Sequence, residues 1–238
     1  MTTADNALKC SSPLSIAQRE DFIENLAHDL KSSVYSQINA LNIIISDEKY
    51  HYDDMHLDIL KHLMTSNIYM RDVILNVLSN FKIQHDKLKL EKASHSMTET
   101  LDFAIKSISY MFKEKNQTLK IFCPSEIFAT YDEIEIRRVF VNLLSNASKY
   151  SNTNSTIEIS IEKEDSIISV EIINDGKIDF KNTDDVFKIY QTESKKRKLR
   201  GSGLGLYISK KIIEAHKGTI NAKNSDNQKV IFTFKIPA

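Results

Sequence analysis

Glycine and proline are both scarce in this chain of 238 residues, which holds five Gly, three Pro and no Trp. Neither Gly nor Pro occurs between Leu14 and Cys123, so frequent turns are excluded there and long helices are favoured. Cysteine is limited to Cys10 and Cys123, which excludes a disulfide framework or a cysteine metal knuckle and suits a reducing compartment. Both read as structural or incidental. Net charge is absent too: 32 Lys and Arg balance 32 Asp and Glu, leaving no global field to draw the protein onto nucleic acid or an anionic membrane. There is no run of about eighteen apolar residues, and the opening MTTADNALKCSSPLS lacks the apolar centre of a signal peptide. The expected location is therefore the cytoplasm. What is present is a hydrophobic fraction of 41%, enough to bury a core in one large domain or two ordinary ones.

The two halves of the chain follow different patterns. Ser12-Pro13 offers an N-cap followed by proline at the first helical position, and Ser15 to Gln18 reads as a second, capping-box start. From there Phe22, Leu26, Leu30, Val34, Ile38, Leu41 and Ile45 recur every three or four residues, the stripe of a helix packed on other helices. It should run to about Ser46. The polar stretch SDEKYHYDD ends in aspartates able to cap a second helix, in which Leu60, Leu63, Asn67, Met70, Ile74, Val77 and Phe81 form a heptad seam with one polar interruption. An antiparallel hairpin follows. A two-helix hairpin buries little by itself, so two copies are expected to close a four-helix bundle, a homodimer in which Asn67 sets the register.

After Phe81 the stretch IQHDKLKLEKASHS breaks the seam. The expected divisions are a tail at 1–14, the hairpin at 15–88, a linker at 89–97 and a C-terminal domain at 98–238. In that domain the pattern predicts a helix over Met97 to Lys115, a strand in TLKIFC, a helix from Asp132 to Tyr150 and a strand pair in TIEISIEKEDSIISVEII. A glycine-bearing loop, a helix after Gly203 and closing strands near GTINAK and VIFTFKI complete it. The order describes an α/β sandwich with helices on one face of a mixed sheet, behind an α-helical hairpin.

Four of the five glycines fall in GSGLGLYISKKIIEAHKG, residues 201–218, and Gly201, Gly203 and Gly205 alternate just before an apolar helical pattern. Glycine allows positive φ and close approach of a ligand, while the first amides of a helix lack partners and carry the positive end of its dipole. The loop, with Ser202, Leu204 and Leu206 between and beside its glycines, reads as an anion cradle suited to phosphate. It has neither the G-K-[ST] ending of a Walker loop nor the spacing G-x-G-x-x-G. Taken alone, it is also compatible with a hinge. Lys195, Lys196, Arg197, Lys198 and Arg200 precede it; by itself such a run is a solvated loop, and beside a cradle it supplies mobile cations for a triphosphate. In the Asp132 to Tyr150 helix, Asn142, Asn146 and Lys149 share one face, while Ile136, Val139, Leu143 and Ala147 face largely elsewhere. Amide oxygens there can help hold hydrated magnesium on substrate phosphates, with lysine on the phosphate itself, or simply face solvent.

Together these segments resemble the sensor histidine kinases of two-component systems, over nearly the whole chain from Asp21 to Ala238. RRVFVNLLSNASKYS is similar to the family's N box, IINDGKI to its first glycine box, DVFKIY to its phenylalanine box and RGSGLGLYISKKIIEAHKG to its second glycine box. FIENLAHDLKSS is similar to the H box. The resemblance implies a Bergerat-type ATP-binding sandwich, with ATP and Mg2+ as cofactors. It implies His28 as phosphoacceptor, Asp29 as the carboxylate orienting its imidazole, and Ser32 where many relatives carry the Thr or Asn that positions water for dephosphorylating the partner. Asn146 would be the main magnesium-side ligand with Asn142 assisting, and Lys149 and Tyr150 would line the nucleotide. Asn174, Asp175 and Gly176 stand in the first glycine box. Lys198, Arg200, Gly201, Ser202, Gly203, Leu204, Gly205 and Leu206 stand at the second. Related ATPases of topoisomerases and chaperones place a water-activating glutamate where Asn142 stands; an amide cannot act as general base, which favours transfer to histidine over hydrolysis. Independently of the resemblance, His28 falls roughly 150° from the centre of the apolar stripe at the helical period, hence on the solvent side.

The family's first glycine box reads D-x-G-x-G. Here Asn174 replaces the aspartate that accepts from the adenine amino group, as a neutral and weaker acceptor, and Ile178 replaces the second glycine. Ser33 stands where a helix-kinking proline is usual, and Val230 where many relatives have threonine beside the adenine. The reading is a dimeric, cytoplasmic histidine kinase core that autophosphorylates His28, passes the phosphoryl group to the receiver domain of a response regulator, and is open to phosphatase activity toward that partner. Two alternatives share its plan: an ATP-independent histidine phosphotransfer protein, and a pseudokinase scaffold with a degenerate nucleotide site. No sensor segment is recognisable in the first twenty residues, so a signal is expected through another protein, or the chain is an excerpt of something longer.

Overall fold

The computed structural model describes residues 16–47, 49, 52–84, 88–123, 125–178, 183–188, 203–225 and 227–238. The expected tail and the capping residues Ser12, Pro13 and Ser15 lie outside them. The chain divides into two compact units, Met1–Leu78 and Ser79–Ala238.

In the first unit, α1 (Ile16–Ser46) runs unbroken through Ser33, and α2 (Asp54–Gln84) follows after a short connection. Asp53 caps α2 as its pattern predicts, its carboxylate accepting the amide of His56 at 2.8 Å and lying 2.6 Å from that residue's Nδ1. These contacts with His56 hold the Asp53 carboxyl below its ordinary pKa. Ala27, Val34, Ile38 and Asn67 are buried. Leu26 and Leu30 on α1, and Leu63, Met70 and Val77 on α2, are exposed, because a hairpin two helices thick covers only part of each apolar stripe.

The second unit is built around a five-stranded sheet of order β2-β4-β5-β7-β6, formed by Thr118–Phe122, Thr156–Glu164, Ile167–Asp175, Lys229–Pro237 and Thr219–Ser225 respectively. Strands β2 and β4 are parallel; the other pairs are antiparallel. Period-two alternation buries Ile157, Ile159 and Ile161 of β4 and Ile168, Val170 and Ile172 of β5 completely. Other positions on these strands carry polar pairs across the ladder, Lys229 with Glu158 at 2.9 Å and Thr233 with Glu171 at 3.1 Å. The helices α3 (Met97–Ser107), α4 (Ser109–Glu114), α5 (Glu133–Tyr150) and α6 (Gly205–Ala215) contribute to the core, and Phe140 of α5 meets Phe234 edge to face at 5.5 Å.

Two differences from the sequence pattern have physical causes. The single helix expected over Met97 to Lys115 breaks at Ile108: the Ser107 hydroxyl donates to the Ala104 carbonyl at 2.7 Å, and both Ile108 and Phe112 become buried. Within the stretch expected as a linker, β1 (Ala93–Ser96) pairs antiparallel with β3 (Phe128–Tyr131). Its residues Ala-Ser-His-Ser show no apolar alternation, and the partner lies across α3, α4 and β2.

Helix α5 is held at both ends. Asp132 caps its start, accepting the Glu135 amide at 3.1 Å and, on the other oxygen, the Glu91 amide at 2.8 Å. The Asp132 amide in turn donates to Nε2 of the buried His216 at 3.0 Å, while His216 Nδ1–H donates to the Ile212 carbonyl at 2.8 Å. At the other end Lys115 Nζ donates to the carbonyls of Ser148, Lys149 and Ser151 at 2.8, 2.9 and 3.0 Å. Burial depresses the Lys115 ammonium pKa.

Burial likewise holds His216 below the ordinary imidazole value, with Lys92 acting in the same direction and the Ile212 carbonyl and Asp132 opposing. The unfolded chain therefore binds this proton more readily, so the contribution to stability is complete above about pH 6.5 and is lost as pH falls through that value. Unfolding free energy should be level above about pH 7 and should decline as pH falls below about 6.5, by at most about 1.4 kcal/mol per pH unit. Thermal melts of the His216→Leu chain should show a lower midpoint at neutral pH, since the Asp132 amide loses its acceptor, and a shallower decline over that interval.

Candidate functional site

Helix α5 has two working faces because its period is 3.6 residues. Ile136, Val139, Phe140, Leu143, Leu144 and Ala147 are wholly buried on one. On the other, Asn146 and Tyr150 border a slot. Its apolar walls are Ile178, Val186, Leu206, Val230 and Phe232, with Asn174, Gly176 and Lys177 completing the lining. Val186 comes from a 3₁₀ turn, Thr183–Phe187, anchored where Phe187 meets Phe232 edge to face at 6.4 Å.

Asn174, on the last turn of the β5 ladder, is 2% exposed. Its Nδ2 donates to the Asp175 carbonyl at 2.7 Å. Its Oδ1 is buried with no hydrogen-bond partner among the described residues. Immediately beyond, Gly176 adopts φ +140°, a conformation open to glycine, and its amide donates to the Gln228 carbonyl at 2.9 Å.

Asn142 and Lys149 stand outside the slot lining. Asn142 is turned toward α6: its Nδ2 donates to the Gly205 carbonyl at 3.1 Å and contacts Ser209 Oγ at 3.3 Å. A Cβ at Gly205 would lie 3.3 Å from Asn142 Oδ1, so this glycine permits the two helices to approach closely. Lys149 Nζ lies 5.2 Å from the Tyr150 ring centroid, and burial lowers its pKa. The first turn of α6 receives no side-chain hydrogen bond from Leu204, its N-cap, and Leu206 of that turn lines the slot. Gly203 just before has φ +67°. Lys198, Arg200, Gly201 and Ser202 lie outside the described residues, as does the rest of the basic run.

In the other unit His28 is 81% exposed on α1, with Nδ1 3.4 Å from Asp29 Oδ1. His28, Lys31, Ser32, Tyr35, Ser36 and Asn39 border one shallow concavity, as spacings of three, four, seven, eight and eleven residues require. The sequence pattern singles out Asn146, Tyr150, Asn174, Gly176 and Leu206 of the slot. It marks Ile178 and Val230 as departures, and it misses the contributions of Lys177, Val186, Phe232 and Ser209. Phe232 follows from alternation along β7, two positions from Val230; Ser209 carries no signal of its own.

Residues 131–238 match the family described as Histidine kinase-, DNA gyrase B-, and HSP90-like ATPase. The chain is 30% identical over 223 residues to the sensor protein KdpD of Clostridium acetobutylicum, a similarity covering 92% of this chain and 25% of that protein. It therefore spans about a quarter of that relative's length. Among solved structures, the nucleotide-free catalytic domain of the histidine kinase ThkA matches with a TM-score of 0.56 at 27% identity, covering 62% of this chain and 97% of that domain. ThkA in complex with the response regulator protein TrrA matches with a TM-score of 0.57 at 21% identity, covering 92% of this chain and 64% of that one. The chain is thus similar in sequence along most of its length to a sensor protein and in fold to histidine kinases, and its residues 131–238 carry the Histidine kinase-, DNA gyrase B-, and HSP90-like ATPase domain.

Proposed function

We propose that the chain is a two-component histidine kinase core: ATP bound in the slot phosphorylates His28, and the phosphoryl group then passes to an aspartate of a response-regulator receiver domain. The observation that carries this reading is the orphaned Oδ1 of Asn174, a residue that lines a largely apolar slot. Leaving a buried acceptor unmatched costs about 1–3 kcal/mol, and the exocyclic amine of adenine would satisfy it while the apolar walls take the ring. The phosphates would meet the uncapped first turn of α6 and the desolvated ammonium of Lys149, with Lys198, Arg200 and Gly201 to Gly205 assigned to them by family resemblance. Asn146 opens onto the slot and offers a hard amide oxygen to Mg2+. Asn142, engaged by α6, would assist by fixing the cradle against the helix that carries Asn146.

His28 supplies the nucleophile. With Nδ1–H directed at Asp29, Nε2 takes the γ-phosphoryl group, the N–P bond forming as the bond to the leaving oxygen of ADP breaks with its electron pair. Ser32, one turn on, is placed to orient water for the reverse, dephosphorylating role. The complex of ThkA with TrrA supports a receiver domain as the partner. A homodimer through the hairpin would cover Leu30 and Leu63, which are 46% and 48% exposed in a single copy, and would offer the buried, unmatched Oδ1 of Asn67 a donor. We assign residues 15–88 to the phosphotransfer hairpin and 98–238 to the catalytic domain, with the intervening stretch tied to β3 through β1. Among the described residues no helix is long and apolar enough to cross a membrane, which accords with a cytoplasmic core.

Incubating the chain with ATP and Mg2+ should place acid-labile label on His28, and His28→Gln should carry none. An unlabelled wild-type chain that readily accepts phosphate from a phosphorylated receiver would instead identify a phosphotransfer protein. Asn174→Leu should weaken ADP binding about tenfold or more, measured by titration calorimetry, while its melting temperature holds or rises because a buried unmatched oxygen is removed. In sedimentation equilibrium the chain should be a dimer, and Leu30→Glu combined with Leu63→Glu should make it a monomer.

A further inference from the structure

One rung of the sheet crosses three strands behind the slot: Asn174 on β5 pairs with Val230 on β7, which pairs with Asn224 on β6. The first two residues line the slot; Asn224 does not. Its amide reaches past the end of the ladder to the loop after β5. The Ile178 amide donates to Asn224 Oδ1 at 2.8 Å, and Asn224 Nδ2 donates to the Ile178 carbonyl at 2.9 Å. One side chain thus satisfies both backbone groups of Ile178, as a neighbouring strand would. Two positions earlier, the Gly176 amide is fixed to the Gln228 carbonyl. The span Gly176 to Ile178 is therefore pinned at both ends with Lys177 alone between, and the Ile178 side chain, 7% exposed, is held as a slot wall.

We infer that Asn224 is a positioning residue for nucleotide recognition: it clasps the peptide of Ile178 and so sets the wall of the base pocket before any nucleotide arrives. The inference rests on the nucleotide reading above. A glycine at position 178, as in the resembling motif, would leave this span free to choose among conformations and would add an ordering cost on binding. A β-branched isoleucine held at both backbone groups has little of that freedom left to lose. The clasp acts on the base alone, because the phosphate-facing elements, α6 and α5, make none of these contacts.

Hydrogen exchange on the intact, nucleotide-free chain tests the clasp directly. The Ile178 amide should be protected in the wild type and should exchange at least tenfold faster in Asn224→Ala, while Asn224→Asp, which keeps an acceptor for that amide, should retain part of the protection. Asn224→Ala should weaken ADP binding about five- to tenfold, as expected for losing roughly one net hydrogen bond of preorganisation, yet leave inhibition by tripolyphosphate within about twofold. A general folding defect would weaken both ligands alike, and that result overturns the inference. So does an unprotected Ile178 amide in the wild type, or protection lost with ADP affinity unchanged. Failure of the wild-type chain to bind ADP at all overturns the nucleotide reading and this inference together.

Discussion

The placement of helix α5 governs the rest of the catalytic unit. Its apolar face lies in the core of the β4–β5–β7 domain, with Phe140 on Phe234, so a shift of one residue along its axis would move its polar face away from the slot. Groups remote in sequence prevent that shift. Asp132 and His216 interlock at the first turn, and Lys115 gathers three carbonyls at the last. The same contacts satisfy the orphan amides and carbonyls that every helix end presents, so anchoring and hydrogen-bond satisfaction are one event.

From that anchored helix the slot is assembled on a small number of contacts. Asn142 brings α6 against α5 through Gly205, and Leu206 follows into the slot. Of the substitutions that set this chain apart from the family pattern, all but Ser33 lie close together. Asn174 and Val230 are cross-strand partners, and Ile178 hangs on their neighbour Asn224. The result is a slot with less charge and more apolar wall, whose shape is maintained by backbone contacts rather than left open by glycine. A neutral acceptor is a weaker partner for an amine than a carboxylate, and a preorganised wall offsets part of that difference.

The hairpin follows another logic. Its two helices bury Val34 and Ile38 but leave leucines, a methionine and a valine from the same stripes in water, which a stable unit of this size does not sustain alone. In the proposed homodimer a second copy would supply the missing half of the core. His28, the proposed phosphoacceptor, sits on the far side of α1 from that stripe, where it stays accessible.

Periodicity and punctuation in the sequence determined the helical hairpin, the order of most strands and helices, the solvent-facing position of His28 and the polar face of α5, because each is written in residues close together along the chain. The β1–β3 pair, the break at Ile108 and the roles of His216, Lys115 and Asn224 were decided by tertiary structure alone. All but the break at Ile108 depend on a hydrogen bond to a backbone group whose position is set by packing elsewhere, and a backbone group has no residue type through which a sequence could announce it. Asn142 shows both sides: its helix face was legible, but only the approach of Gly205 determined that its amide would turn to α6.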